Sequence, residues 1–508
     1  MYGKIFKTSF IFIFFAELLS IFAYLLPDFN KAAFLIIGLF FFTLSVYRLE
    51  YGVLVLLAEL FIGSKGYLFY FDFGGTTISI RILFWMILMS IWLVKIINRT
   101  AKTKTNPFLF YYKNKYFRYF SVLFVFIIIA LINGGKNNDF NNLFFDFNAW
   151  LYFALIFPIF ESARRHDKFL ARVKEVFISS TLWVSLKTFA LFYFFTHNVA
   201  GVIEPLYKWV RTSGVGEITT MNSGFTRIFF QSHIFVLTGF FVFLFLLTDY
   251  FSKKNKNNLL KLEKQEIYNL LIFILFISVN LISYSRSNWV GWILGLFVSV
   301  AVIVWFYGLK TFFKGFLLLA FSTVAGILFM TAVAKFPYPN ANFAFNAADV
   351  LTERAGQVKN EAGASSRWSL LPELWREIKE KPFLGSGFGA TVTYKSSDPR
   401  VLESSPDGTY TTYAFEWGWL DIWLKLGFFG VLSYLVLLWV LIKDYFVCLK
   451  KRIDDSKDFE ALFNTGLIIG LISILSLSFF SPYMNHPLGI GFLLILASII
   501  STVNPCQN

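Results

Sequence analysis

Residues 267–306 read IYNLLIFILFISVNLISYSRSNWVGWILGLFVSVAVIVWF, two apolar runs separated only by Ser285-Arg286-Ser287-Asn288. A bilayer core needs about 20 apolar residues per helix, and somewhat fewer where neighbouring helices shield the ends. The stretch therefore reads as two membrane helices joined by a tight turn. The same pattern recurs at 5–26, 31–47, 51–64, 79–98, 119–133, 146–160, 174–196, 229–251, 267–284, 288–306, 315–334, 426–446, 459–480 and 484–503. The expected fold is an all-α polytopic membrane protein of about 14 transmembrane helices, with 12–14 as the range because 51–64, 119–133 and 146–160 are short. Composition agrees: 57% of the 508 residues are hydrophobic, 21% are aromatic and 15% are charged, too apolar for a soluble domain.

The net charge of +15 sits in short loops. Arg99, Lys102, Lys104, Lys113, Lys115 and Arg118 share one loop, and Arg164, Arg165, Lys168, Arg172 and Lys174 another. Lys253, Lys254, Lys256, Lys261 and Lys264 make a third, and Lys450, Lys451 and Arg452 follow the twelfth span. These loops fall on alternate crossings, so the positive-inside bias places them all in the cytoplasm and both termini with them. The excess charge meets anionic lipid headgroups, and no nucleic-acid motif accompanies it. The first apolar run carries Glu17 and ends in Pro27-Asp28-Phe29-Asn30 without a small-residue cleavage site, so it reads as a retained span. The two cysteines, Cys448 and Cys506, suggest neither a disulfide framework nor a metal site.

On this topology the turn at Arg286 faces outward, where basic residues are scarce. The plainer reading of Arg286 is a snorkelling or salt-bridged turn residue; the functional one is an anion-binding residue at the outer membrane face. Two further outward segments hold arginines. Residues 197–228 contain Arg211, Asn222 and Arg227. Residues 335–425 form a loop of roughly ninety residues, too long for a mere connection, with Arg354, Arg367, Arg376 and Arg400. The expected organisation is a transmembrane bundle at 1–334, an extracytoplasmic loop subdomain at 335–425 before the third-last helix, and C-terminal membrane helices at 426–508. Arginine suits bidentate phosphate contacts.

Within that loop, SSRWSLLPELWREIKEK at 365–381 predicts an amphipathic helix with Trp368, Leu371, Trp375 and Ile378 as its apolar stripe. Pro372 either opens a shorter helix or kinks a longer one. Pro382 to Gly389, PFLGSGFG, allows either a phosphate-cradling loop or a sharp turn after the helix. In YTTYAFEWGWLDIWLKLGFFG at 410–430, Asp421 and Lys425 lie four residues apart and predict a structural ion pair, whereas Glu416 has no local partner.

Three stretches together resemble the O-antigen ligase and O-antigen polymerase family of polyprenyl-diphosphate-dependent membrane glycosyltransferases. They are Ser285-Arg286-Ser287 leading into Asn288-Trp289-Val290-Gly291-Trp292, Arg367 to Gly389, and Glu416 to Gly430. Gly224-Phe225-Thr226-Arg227 is a weaker fourth. The resemblance covers roughly 220–446 and departs at one place: Glu416-Trp417 stands where the ligases carry His-Asn. It implies a metal-independent enzyme without a cofactor that moves a glycan from a polyprenyl-diphosphate-linked donor to a hydroxyl on a glycan, lipid or protein acceptor. Ligation or polymerisation of cell-surface polysaccharide outside the cytoplasmic (inner) membrane is the implied setting.

In such a reaction the departing diphosphate needs cations, and the acceptor hydroxyl must lose a proton. Arg227 and Arg286 are the expected diphosphate-binding residues, with Arg367 and Arg211 as further candidates. Glu416 is the expected general base and Asp421 the reserve. No Asp-x-Asp lies in an outward loop, and His166, His197, His233 and His486 are scattered, so no metal is expected. The competing class is a transporter or flippase of lipid-linked sugars. It would share the outward cations, but the chain shows no internal repeat and few mid-span charges beyond Glu17 and Glu59.

Overall fold

The computed structural model describes residues 2–73, 76–103, 106, 108–221, 225–254, 263–340, 362–452 and 459–503. Lys104, Asn222, Gly224, Lys256, Lys261, Arg354 and Cys506 lie outside them. All fourteen expected segments are helical. Among the described residues twelve helices are long and apolar enough to cross a membrane. The other two fall short. Leu49–Ile62 has 14 residues and Pro487–Val503 has 17, or about 21 and 26 Å of helix against a core of about 30 Å. The chain is thus an all-α polytopic membrane protein at the lower end of the expected range.

Residues 146–160 are part of a longer composite. An α-helix Phe140–Asn148, capped by Asp139, passes into a 3-10 stretch Ala149–Leu155 and then an α-helix Ile156–Arg165. The expected span 426–446 is also longer: the helix runs Gly418–Arg452 with a break at Gly427, whose φ is 71°. Among the described residues three short antiparallel strand pairs were not expected: Tyr70–Phe73 with Thr76–Ser79, Gly216–Thr220 with Thr226–Phe230, and Val392–Lys395 with Thr409–Thr412.

The chain divides into two compact units. The first comprises 1–97, 156–347 and 449–473. Its most buried span is His233–Lys253, almost wholly enclosed by its neighbours. Glu17 is paired with Lys187 at 2.6 Å, and Glu59 with Arg81 through two hydrogen bonds of 2.8 and 2.9 Å. Glu50, fully buried, is held by Arg48, His166 and Arg172 at 2.7–3.0 Å. Pairing is what makes such groups tolerable away from water.

The second unit comprises 98–155, 348–448 and 474–508. Here the helix Ala362–Glu380 packs over a small core made by Leu370, Leu374, Ile378, Ala390, Val392, Phe415 and Leu424. The helix runs through Pro372 without ending. Its buried stripe is therefore Leu370-Leu374-Ile378, not the expected Trp368-Leu371-Trp375-Ile378. Trp368 is 62% exposed and Trp375 39%. The two indoles instead meet Trp417 and Trp423 edge to face, each at 5.5 Å.

Candidate functional site

In the first unit, strand Thr226–Phe230 carries Arg227, and the helices Lys264–Ser283 and Arg286–Tyr307 carry the serine-arginine turn. The turn is tight because Tyr284 adopts a left-handed conformation, φ 46°, rare for a residue with a side chain. Packing holds it there. The buried Tyr284 ring lies against Phe225 and Trp289, both at 5.3 Å. Asn288 donates to Asn280 at 3.0 Å and so ties the two helices below the turn.

Arg286 is the first residue of a 22-residue helix. The Ser285 hydroxyl pairs with Ser287 at 3.1 Å instead of capping that helix. The helix N-terminus, with the positive end of its dipole, thus begins at Arg286 itself. The half-buried Arg227 donates from Nε to the carbonyl of Ser283 at 3.1 Å, and its guanidinium lies over Phe229. The structure therefore brings Arg227 onto the turn that presents Arg286. Arg211 is engaged elsewhere: it ends the helix Ile203–Thr212, part-exposed, and contacts Tyr207 and Glu217, each at 3.4 Å. His233 is buried against Thr188 at 2.9 Å and accepts from the amide of Phe230, a local structural role.

In the second unit, Glu416 lies two residues before the first residue of the helix Gly418–Arg452. Its carboxylate forms an ion pair with Arg367, and both side chains are roughly half exposed. The pair is framed by neighbours in sequence: Trp417 donates its indole N–H to the carbonyl of Arg367 at 3.0 Å, and Trp368 meets Trp417 edge to face at 5.5 Å. Sequence spacing could not reveal the partner of Glu416, which comes from a separate helix.

Asp421 has different surroundings. It is 1% exposed, lies 2.6 Å from Lys425 and accepts from Asn485. Lys425 also reaches Asp146 at 2.6 Å. The Asp421–Lys425 pair was legible in the sequence; Asp146 and Asn485 were not, because they lie far away in the chain.

The glycine segment resolves as a structural brace. The break at Gly427 opens carbonyls in the helix; Ser386 donates to Leu424 O at 2.7 Å and Gly387 to Lys425 O at 3.2 Å. Phe388 donates to Ala130 O at 3.2 Å, and Gly389 to Asp146 Oδ2 at 2.8 Å. The four amides that a phosphate cradle would need are thus committed to protein acceptors. Gly387, at φ 84°, has no room for a Cβ against Gly134 and Ala130. Among the described residues no three His, Cys, Asp or Glu side chains are grouped as a metal site would require.

Residues 271–435 match the O-antigen ligase family. The matched stretch includes Arg286, Arg367, Glu416 and Asp421; Arg227 and Arg211 precede it. A ComP-specific O-oligosaccharyltransferase of Acinetobacter baylyi is 25% identical over 328 residues, 64% of this chain and 53% of the relative. The chain thus spans about half the length of the curated relative that it matches.

Proposed function

We propose, taking as premise that this chain is of the O-antigen ligase family over residues 271–435, that it transfers a glycan from a polyprenyl diphosphate to an acceptor hydroxyl at the outer side of the cytoplasmic membrane. The observation that carries the reading is Arg227 seated on the turn whose next helix begins with Arg286. Two guanidiniums and a helix N-terminus suit a diphosphate whose charge grows as it leaves. At an effective dielectric near 20, each unit charge within 4 Å contributes roughly 4 kcal/mol.

The acceptor oxygen attacks the anomeric carbon while the carbon–oxygen bond to the diphosphate breaks, and the bonding electrons leave with the phosphate. The transition state has oxocarbenium character, as in other glycosyl transfers. The hydroxyl proton passes to Glu416, a half-exposed carboxylate just before the helix that begins at Gly418. Arg367 orients that carboxylate and is therefore a positioning residue in this reading. Full burial and pairing with Lys425 favour a structural role for Asp421. Exposure and its contact with Glu217 favour a peripheral one for Arg211.

The acceptor is a hydroxyl of a glycan, a lipid or a protein; the name of the Acinetobacter relative favours a protein. The test is transfer of labelled glycan by the reconstituted protein. Glu416→Gln and Arg286→Ala are expected to abolish it while membrane insertion and folding persist. Full transfer by either variant overturns the mechanism, and movement of lipid-linked sugar across vesicles without a new glycosidic bond replaces it with transport.

A further inference from the structure

Trp368 is 62% exposed although its helix packs on a core through Leu370, Leu374 and Ile378. Large exposed aromatics outside lipid-facing spans are costly, since burying one would gain roughly 2–3 kcal/mol. Trp368 is nevertheless held in a defined place by its edge-to-face contact with Trp417, 5.5 Å between centroids. Trp417 is anchored in turn by its bond to the Arg367 carbonyl and by packing on Phe480 at 5.6 Å. The two consecutive pairs Arg367-Trp368 and Glu416-Trp417 thus lie crosswise, with an ion pair beside an aromatic pair. Each ionic partner is roughly half exposed.

We infer that Trp368, with Trp417, Arg367 and Glu416, forms a carbohydrate-binding platform that seats a sugar ring of the transferred or receiving glycan. This rests on the glycan-transfer reading of the same site. A pyranose has an apolar C–H face and a rim of hydroxyls. The exposed indole face matches the first. The guanidinium and carboxylate match the second, since each makes paired hydrogen bonds to neighbouring hydroxyls. An acyl chain would match the indole alone and would strip water from two charged groups at a loss. Indoles also bind at little entropic cost, having only two rotatable side-chain bonds. Trp375 provides the comparison: it is also exposed and meets Trp423 edge to face at 5.5 Å, but the neighbouring Arg376 pairs with Glu373 and Glu377 of its own helix.

The experiment titrates the water-soluble oligosaccharide, released by mild acid from the host's polyprenyl-diphosphate lipids, into the full-length protein in nanodiscs. The wild type is expected to bind it, Trp368→Ala at least fivefold more weakly, Trp368→Phe close to wild type, and Trp375→Ala unchanged. In the transfer assay Trp368→Ala should raise KM for the glycan at least fivefold with kcat nearly kept. No binding by the wild type, or unchanged binding and KM in Trp368→Ala, overturns the inference. So does a Trp368→Ala phenotype confined to looser lipid association, which would make the indole an interfacial anchor. Because binding is read without turnover, it separates this inference from failure of the transfer reading, which Glu416→Gln and Arg286→Ala test.

Discussion

Replacing Lys425 by Met removes the one cation shared by two buried carboxylates. Lys425 Nζ lies 2.6 Å from both Asp146 and Asp421, and none of the three side chains is more than 8% exposed. Breaking a buried ionic group by removing one partner costs about 3–5 kcal/mol. The lower end, about 3 kcal/mol, applies here, because Asp146 keeps the amide of Gly389 and Asp421 keeps Asn485. Neutralising all three residues together, with Lys425→Met, Asp146→Asn and Asp421→Asn, should recover most of that loss. Denaturation by sodium dodecyl sulfate in mixed micelles, followed by fluorescence, reads both variants. Stability of Lys425→Met within about 0.5 kcal/mol of wild type refutes the reasoning. A triple variant as unstable as the single one would refute it as well.

Gly387→Ala should lower thermal stability by well over 1 kcal/mol, read by size-exclusion after heating, because its Cβ meets the backbone of residues 130–134 and its φ is left-handed. Arg227→Lys should raise KM for the lipid-linked donor by less than Arg227→Ala in steady-state transfer, since it keeps the charge and loses the Nε bond to Ser283. Transfer should survive exhaustive EDTA treatment, because arginines supply the cations in this mechanism. Lys395, with Thr409 and Ser405, holds the Asp407 carboxyl well below the usual range. The hairpin Val392–Thr412 should therefore keep that contribution above the ordinary carboxylate pKa of about 4 and lose it as pH falls through the lower value. Hydrogen exchange of 392–412 at descending pH measures the loosening.

Most of the helical framework was legible because apolar length is a strong local signal. Where it failed, neutralisation or packing was responsible. Asp421 and Lys425 made the start of the Gly418 helix look like a loop, yet each cancels the other and Asp146 completes the set. The stripe of the helix Ala362–Glu380 was misplaced because tryptophan scores as apolar, although Trp368 stands at an edge. The alternating glycines left a cradle and a turn equally open until the acceptors of their amides were known. Arg227, Arg286 and Glu416 could be named from residue type and position. The bond from Arg227 to Ser283 and the pairing of Glu416 with Arg367 join segments 56 and 49 residues apart, which no local pattern encodes.

The most direct measurement follows the leaving group. With purified protein in liposomes, a doubly labelled polyprenyl-diphosphate glycan and the host's acceptor fraction, free polyprenyl diphosphate should appear in one-to-one proportion with new glycosidic bonds. Both signals should vanish together in Arg286→Ala. Release of diphosphate without bond formation, or bond formation undiminished in Arg286→Ala, would contradict the account.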